Sequence, residues 1–195
     1  SNLGIDPVKL EQYLKENTFK KKHKTLNKNT GNIISALMPV HLFGHPSRII
    51  ELKKIAKKYN LILIEDAAEG LGSFLNSKHI GTFSKMGILS FNGNKIITTG
   101  GGGAILTNNK KLALKARYLS TTAKKNHSYK FIHTELGFNY RMPNINAALG
   151  CSQIKKLDNY LKRKRLLTKK YFTVFKDSNY FEFYIEPKNS KSNYW

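Results

Sequence analysis

Four consecutive apolar residues, Leu61 to Ile64, run straight into Glu65 and Asp66. A run that short and apolar throughout predicts a parallel strand packed between helices. Just upstream, Ile49, Leu52, Ile55, Ala56 and Tyr59 recur at helical spacing, while Lys53, Lys54, Lys57 and Lys58 take the opposite side. Asn60 is placed for a left-handed C-terminal stop. Ile33 to Val40 is a further strand candidate, ended by the turn residues Gly44-His45-Pro46. These pieces compose a strand, helix, strand unit.

The remaining punctuation extends the pattern. A short helix is expected from Pro7 to about Glu16, and the polar, basic stretch Thr18 to Asn32 reads as an exposed loop or hairpin. Ile88 to Phe91 and Ala104 to Thr107 are strand candidates, and Leu112, Ala113, Ala116 and Leu119 mark another helix. The alternation predicts an α/β fold, a mostly parallel sheet with right-handed crossovers. From Asn144 one long helical pattern places Ile145, Ala148, Leu149, Ile154, Leu157 and Leu161 on its apolar side, suited to linking two lobes. The expected division is therefore residues 1–143 and 144–195. The aromatic stretch from Phe181 stops at Asn193-Tyr194-Trp195, which suggests that a natural C-terminal portion is missing.

A chain of 195 residues is long enough for one globular domain, burying roughly 70% of its unfolded surface. The single cysteine, Cys151, excludes an internal disulfide framework and fits a reducing compartment, so cytoplasmic localisation is expected. The N-terminus lacks a secretory pattern, and no apolar stretch approaches the ~20 residues of a membrane span. The net charge of +22 raises nucleic acid or an anionic membrane surface as partners. The lysines, however, are spread over most predicted helices, with local clusters at Lys20 to Lys22, Lys162 to Arg165 and Lys169 to Lys170. Beside the many asparagines, this distribution reads as a lysine-rich composition on solvated faces. The sequence lacks the aromatic-bearing strand motif of an RNA recognition module and any zinc-finger spacing.

In an open α/β sheet, ligands sit beyond the carboxyl ends of the strands. Asp66 lies at such an end, where a carboxylate can bind a metal, cap a helix, or pair with a protonated heterocyclic nitrogen. Lys95 closes the turn Ser90-Phe91-Asn92-Gly93-Asn94-Lys95, unlike a lysine on a solvated helix face. A nucleophilic lysine must be partly unprotonated, which burial or a neighbouring cation arranges. Gly100 to Gly103 follow and let backbone approach a ligand. They form neither a P-loop nor a dinucleotide fingerprint. A phosphate would need hydroxyl and amide donors such as Ser90. Together, amine, carboxylate and glycines suggest pyridoxal phosphate chemistry. His41 and His45 have zinc-helix spacing, but Gly44 and Pro46 break the helix, and Glu65 and Asp66 point to opposite strand faces. Cys151 is expected to be a small buried hydrophobe.

Four ordered segments carry a family resemblance: PVHLFGHP at 39–46, IEDAAEGLGS at 64–73, GTFSKMGILSFNGNKIITTGGGGAILTN at 81–108, and ELGFNYRMPNINAALG at 135–150. The chain resembles the sugar aminotransferases of the DegT/DnrJ/EryC1/StrS family, pyridoxal phosphate enzymes of fold type I. SFNGNKIITTGGGG and the polar NKNTGN insertion are most similar to its LegC-like branch.

The resemblance implies that 1–143 is part of a cofactor-binding large domain and 144–195 the linking helix and start of a small one. It implies amino transfer, usually from glutamate, to the C4 ketone of a nucleotide-linked 4-keto-6-deoxy sugar for bacterial surface glycans. Lys95 would condense with the cofactor aldehyde and then shuttle the proton, Asp66 would pair with the ring nitrogen, and Ser90 would donate to the phosphate. Asn139 would reach the phosphate in a neighbouring subunit, implying a homodimer with shared active sites. Glu69 stands near the ring's 3-oxygen, where many relatives carry Gln or His. The related 3-dehydratases have His in place of the lysine, so Lys95 argues against that activity. The family's Gly-Thr-x-Ala phosphate turn and its complete small domain have no match here, so the resemblance marks the chain as a fragment. The alternatives are a basic nucleic-acid-binding protein and a catalytically inactive truncated relative.

Overall fold

The computed structural model describes residues 3–180 and 182–195; Ser1, Asn2 and Phe181, which belong to the N-terminal and aromatic-tail readings above, lie outside them. Helix α1, Pro7–Asn17, opens on Asp6, whose carboxylate accepts the Val8 and Lys9 amides at 2.8 and 3.1 Å. Such a cap satisfies amides that the first turn leaves without helical partners. The polar stretch that follows is a hairpin: strand β1, Thr18–Lys21, pairs antiparallel with β2, Lys24–Asn27. It is pinned to the body by Thr25, fully buried, whose hydroxyl donates to the Tyr59 carbonyl.

The Ile33 to Val40 run is not one strand. Strand β3, Ile33–Ile34, joins β2, and after Ser35 the chain changes sheets, so that β4, Ala36–Leu37, belongs to the central sheet. Pro39 has no amide to give a ladder, and only a single bridge, Val40 to Asp66, continues the pairing. Helix α2, Ile49–Lys58, then leads into β5, Ile62–Asp66. A short hairpin, β6 Phe74–Leu75 and β7 Lys78–His79, precedes β8, Met86–Ser90, and β9, Gly103–Leu106. The central order is β4-β5-β8-β9; the first three strands run parallel and β9 is antiparallel.

The periodicity of α2 does what it predicts. Ile49, Leu52, Ile55 and Ala56 are buried and join Leu14, Leu37, Tyr59, Leu61 and Leu63 in one core, with the lysines outside. Leu63, Glu65 and Leu89 face that side of the sheet and are buried. On the other face Ile62, Ile88 and Ile105 remain 37–52% exposed, so the packing expected around Leu61 to Ile64 is complete on one side in the described residues.

Helix α3, Lys110–Leu119, is capped by Asn109, which accepts the Leu112 amide at 3.1 Å. The single helix expected from Asn144 is two: α4, Asn144–Ile154, and α5, Leu157–Phe175, separated at Lys155 and Lys156. Cys151, expected inside, is exposed because neither helix buries any residue fully. Strand β10, Ser190–Lys191, pairs antiparallel with β6 and brings the chain's last residues back to the first half of the molecule.

Candidate active site

Three parallel strands end side by side. Val40 bridges Asp66, and Asp66 stands opposite Ile88 in the register of β5 and β8. Because side chains alternate along a strand, Asp66, Ile88 and Ser90 share one face of the sheet. Glu65 points the other way. Asp66 is half-buried, and its Oδ1 accepts the Ala68 amide at 3.0 Å. The Ser90 hydroxyl accepts the Asn92 amide at 3.3 Å, at the start of the turn that ends in Lys95.

Lys95 is held from both sides. Its amide donates to the Asn92 carbonyl at 3.1 Å, and its side chain is 14% exposed. Nζ lies 3.6 Å from Glu69 Oε1 and 4.2 Å from the centre of the Trp195 ring. The other oxygen of Glu69 accepts the Phe43 amide at 2.6 Å. Phe43, with φ 51°, stacks on Trp195 at 6.1 Å, and the indole N–H donates to the Asn94 carbonyl at 2.8 Å. Beside these residues opens a cleft of about 600 Å³, whose far wall is the Tyr160, Arg163, Lys164 and Lys170 side of α5.

The C-terminal residues that carry Trp195 to this cleft are firmly anchored. Asn193 is fully buried, donating from Nδ2 to the carbonyls of Glu69 and Leu71 at 2.7 and 2.9 Å, while its amide donates to the Ser73 hydroxyl. Any side chain at Gly44 would strike it, since a Cβ there would come within 1.7 Å of Asn193 Oδ1. Arg165 on α5 clamps the same segment: it makes a two-pronged pair with Glu186 at 2.7 and 2.8 Å and donates to the Ser192 carbonyl at 2.8 Å. Burial pushes the Glu186 carboxyl up, but the Arg165 and Ser192 bonds outweigh it and hold the group below the usual carboxylate range.

Glu65, buried beneath the sheet, ties the site to its support. It accepts the amides of Gly81, Phe83 and Ser84 at 2.8, 2.7 and 2.8 Å, and His41 Nε2 lies 3.1 Å from its Oε2. The Ser47 amide donates to His41 Nδ1 at 3.0 Å, which assigns the ring proton to Nε2. Desolvation raises the Glu65 pKa, but the bonds from His41, Ser84 and Gly81 win, leaving it below its ordinary value. His41 is thus a structural residue. His45 packs edge-on against Tyr184 and Tyr194. No cluster of three or more His, Cys, Asp or Glu side chains suited to a metal occurs among the described residues.

Of the residues singled out in the sequence, Asp66 and Ser90 share a sheet face, and Lys95 and Glu69 touch. Asn139 does not join them: it is exposed and bridges Thr121. Its neighbours Tyr140 and Arg141 line a second cleft, of about 930 Å³, with Gly101 to Gly103. Trp195, Asn193 and Phe43 were missed as site residues. The stretch around Trp195 carried the only hint, and nothing local links it to a lysine a hundred residues earlier.

The donor set fits pyridoxal phosphate. Lys95 carries a primary amine, Asp66 a carboxylate and Ser90 a hydroxyl; Asp66 and Ser90 are the last residues of β5 and β8 and Lys95 follows in the next turn, while the cleft beside Lys95 is lined by neither Asp66 nor Ser90.

Comparison with known proteins identifies the family. The profile of the DegT/DnrJ/EryC1/StrS aminotransferase family matches residues 1–195. EpsN of Bacillus subtilis (strain 168) is 35% identical over 192 residues, 98% of this chain and 47% of its own length. GDP-perosamine synthase of Escherichia coli O157:H7 is 40% identical over 134 residues, 69% of this chain and 36% of that protein. Among solved structures, E. coli GDP-4-keto-6-deoxy-D-mannose-3-dehydratase with bound hydrated PLP superposes with a TM-score of 0.77 at 25% identity, covering 99% of this chain and 49% of that one. The chain spans less than half the length of each of these relatives.

Proposed function

The chain belongs to the DegT/DnrJ/EryC1/StrS aminotransferase family, and from that premise we propose that the protein it represents is a pyridoxal phosphate-dependent aminotransferase acting on a nucleotide-linked sugar. The observation that carries the reading is Lys95, its side chain 14% exposed, in the turn that leaves β8 after Ser90, the strand whose parallel neighbour β5 ends in Asp66. The finer reading is transfer from glutamate to the C4 ketone of a 4-keto-6-deoxy sugar by a cytoplasmic homodimer of the LegC-like branch. In that dimer Asn139, exposed here, serves the partner's site. Residues 1–143 belong to the large domain and 144–195 begin the small one. No helix among the described residues is long and apolar enough to cross a membrane.

When bound, the cofactor supplies a carbonyl and a conjugated ring that accepts electrons. The residues do the rest. Lys95 offers its Nζ to the carbonyl carbon and afterwards moves a proton to and from the substrate carbon. Asp66 holds a proton on the ring nitrogen, because a carboxylate within contact favours the charged form of its partner. Ser90 donates its hydroxyl to the phosphate and helps orient it.

The test is spectroscopic. Pyridoxal phosphate added to the full-length protein produces an absorption band that Lys95→Ala removes and that Asp66→Asn weakens. A band unchanged by Lys95→Ala would refute the assignment.

A further inference from the structure

We propose that Glu69 and Trp195 form an ammonium clamp that guards Lys95, keeping its amine from small electrophiles until a phosphate-bearing aldehyde of the pyridoxal class displaces it. The inference rests on Lys95 as the capturing lysine and adds two specificity-determining residues to that site.

The clamp has two walls and both are braced. Glu69 Oε1 contacts Nζ at 3.6 Å, while Oε2 is occupied by the Phe43 amide and the residue's own carbonyl by Asn193. The Trp195 ring sits 4.2 Å from Nζ and is fixed by its bond to the Asn94 carbonyl and by stacking on Phe43. A cation held between a carboxylate and an aromatic face gains from both, since the ring face is electron-rich. The other charged groups lining this cleft, Arg163, Lys164 and Lys170, are cations, so Glu69 is the carboxylate that meets the amine.

The consequence is selectivity. Any electrophile has to pull Nζ away from both walls before it can react. A bare aldehyde has only its carbonyl to offer. One that is also gripped through a phosphate at the Ser90 hydroxyl has further contacts to offset the loss. On capture, the lysine nitrogen forms a double bond to the aldehyde carbon, the carbonyl oxygen leaves as water with two ammonium protons, and the third proton stays on nitrogen. Charge is conserved, and Glu69 keeps a cation to face.

Trace acetylation of the full chain with acetic anhydride, read by peptide mass spectrometry, tests the clamp without the cofactor. Lys53, whose Nζ donates to the Phe83 carbonyl away from the site, is the internal standard. Glu69→Gln is expected to raise Lys95 labelling about tenfold through loss of the ion pair. Trp195→Leu is expected to raise it about threefold, whereas Trp195→Phe, which keeps an aromatic face, stays within about twofold of wild type. Pyridoxal, lacking the phosphate, should gain on pyridoxal phosphate in adduct formation with the same two clamp-breaking variants. Unchanged labelling in Glu69→Gln and Trp195→Leu, equal behaviour of the Phe and Leu variants, or a rise shared by Lys53 overturns the proposal. A wild-type chain labelled as expected that forms no adduct with pyridoxal phosphate overturns instead the reading of Lys95, and with it the displacement step.

Discussion

Helices α2 and α4 both place apolar residues at helical spacing, though only α2 opposes them with a charged face, and they meet opposite fates. In α2 the apolar stripe is sealed: Ile49 and Leu52 are fully buried against the sheet. In α4 the equivalent stripe is open, with Ile145 85%, Leu149 41% and Ile154 48% exposed. The same solvent-open character reaches across the sheet to Ile62, Ile88 and Ile105, on the face that bears Asp66 and Ser90. The sheet face that carries Glu65 is therefore packed, and the face that carries Asp66 and Ser90 is open beside Ile62, Ile88 and Ile105. Burial of an apolar side chain stabilises only where another surface meets it, so apolar residues at helical spacing form a keystone in α2 and an unmet face in α4.

Perturbing each region should separate them sharply. Glu65→Gln leaves backbone amides of the 81–84 loop facing an amide that cannot accept from all of them, and should cost about 3–5 kcal/mol, read by urea unfolding. Leu52→Ala opens a cavity in the core and should cost about 3 kcal/mol. Arg165→Ala, which frees Ser192 and Glu186, should cost about 2 kcal/mol and shift the emission of Trp195, the chain's single tryptophan. Ile145→Ser, on the open face, should change stability by less than about 0.5 kcal/mol. A cost for Ile145→Ser matching that of Leu52→Ala would show that the α4 stripe is covered in solution and would erase the contrast.

The packed region should also set the acid limit. Burial pushes His45 and His79 below their ordinary value of 6.5. Their folded forms thus bind fewer protons than the unfolded chain near that pH, and stability falls as pH drops through and below 6.5. Glu65 and Glu186 are held below their ordinary 4.5, so their contribution is present above that value and is lost as pH falls through the lower folded values. Melting temperature measured from pH 8 to pH 3 should therefore decline in two stages, and Glu65→Gln should flatten the second.

Much of the fold was legible because its signals are local. The α2 stripe, the apolar run into Asp66 and the turn before Lys95 each lie within a dozen residues, and the structure returns them within a residue or two. The misreadings were also local in cause. Ile33 to Val40 looks like one strand because composition does not reveal a change of sheet at Ser35. The Asn144 pattern looks like one helix because nothing in the lysines at 155 and 156 marks a break.

Residue order along the chain was enough to announce an acid at the end of β5 and a lysine in the turn after β8, since alternation and turn chemistry are properties of short segments. It was silent about what meets them. Glu69 reaching Lys95, Trp195 closing over the amine, Asn193 filling the space above Gly44 and Glu65 gathering a distant loop all depend on contacts between segments far apart in the chain. Such contacts carry no local imprint, because the energy that selects them arises only when the whole chain has packed.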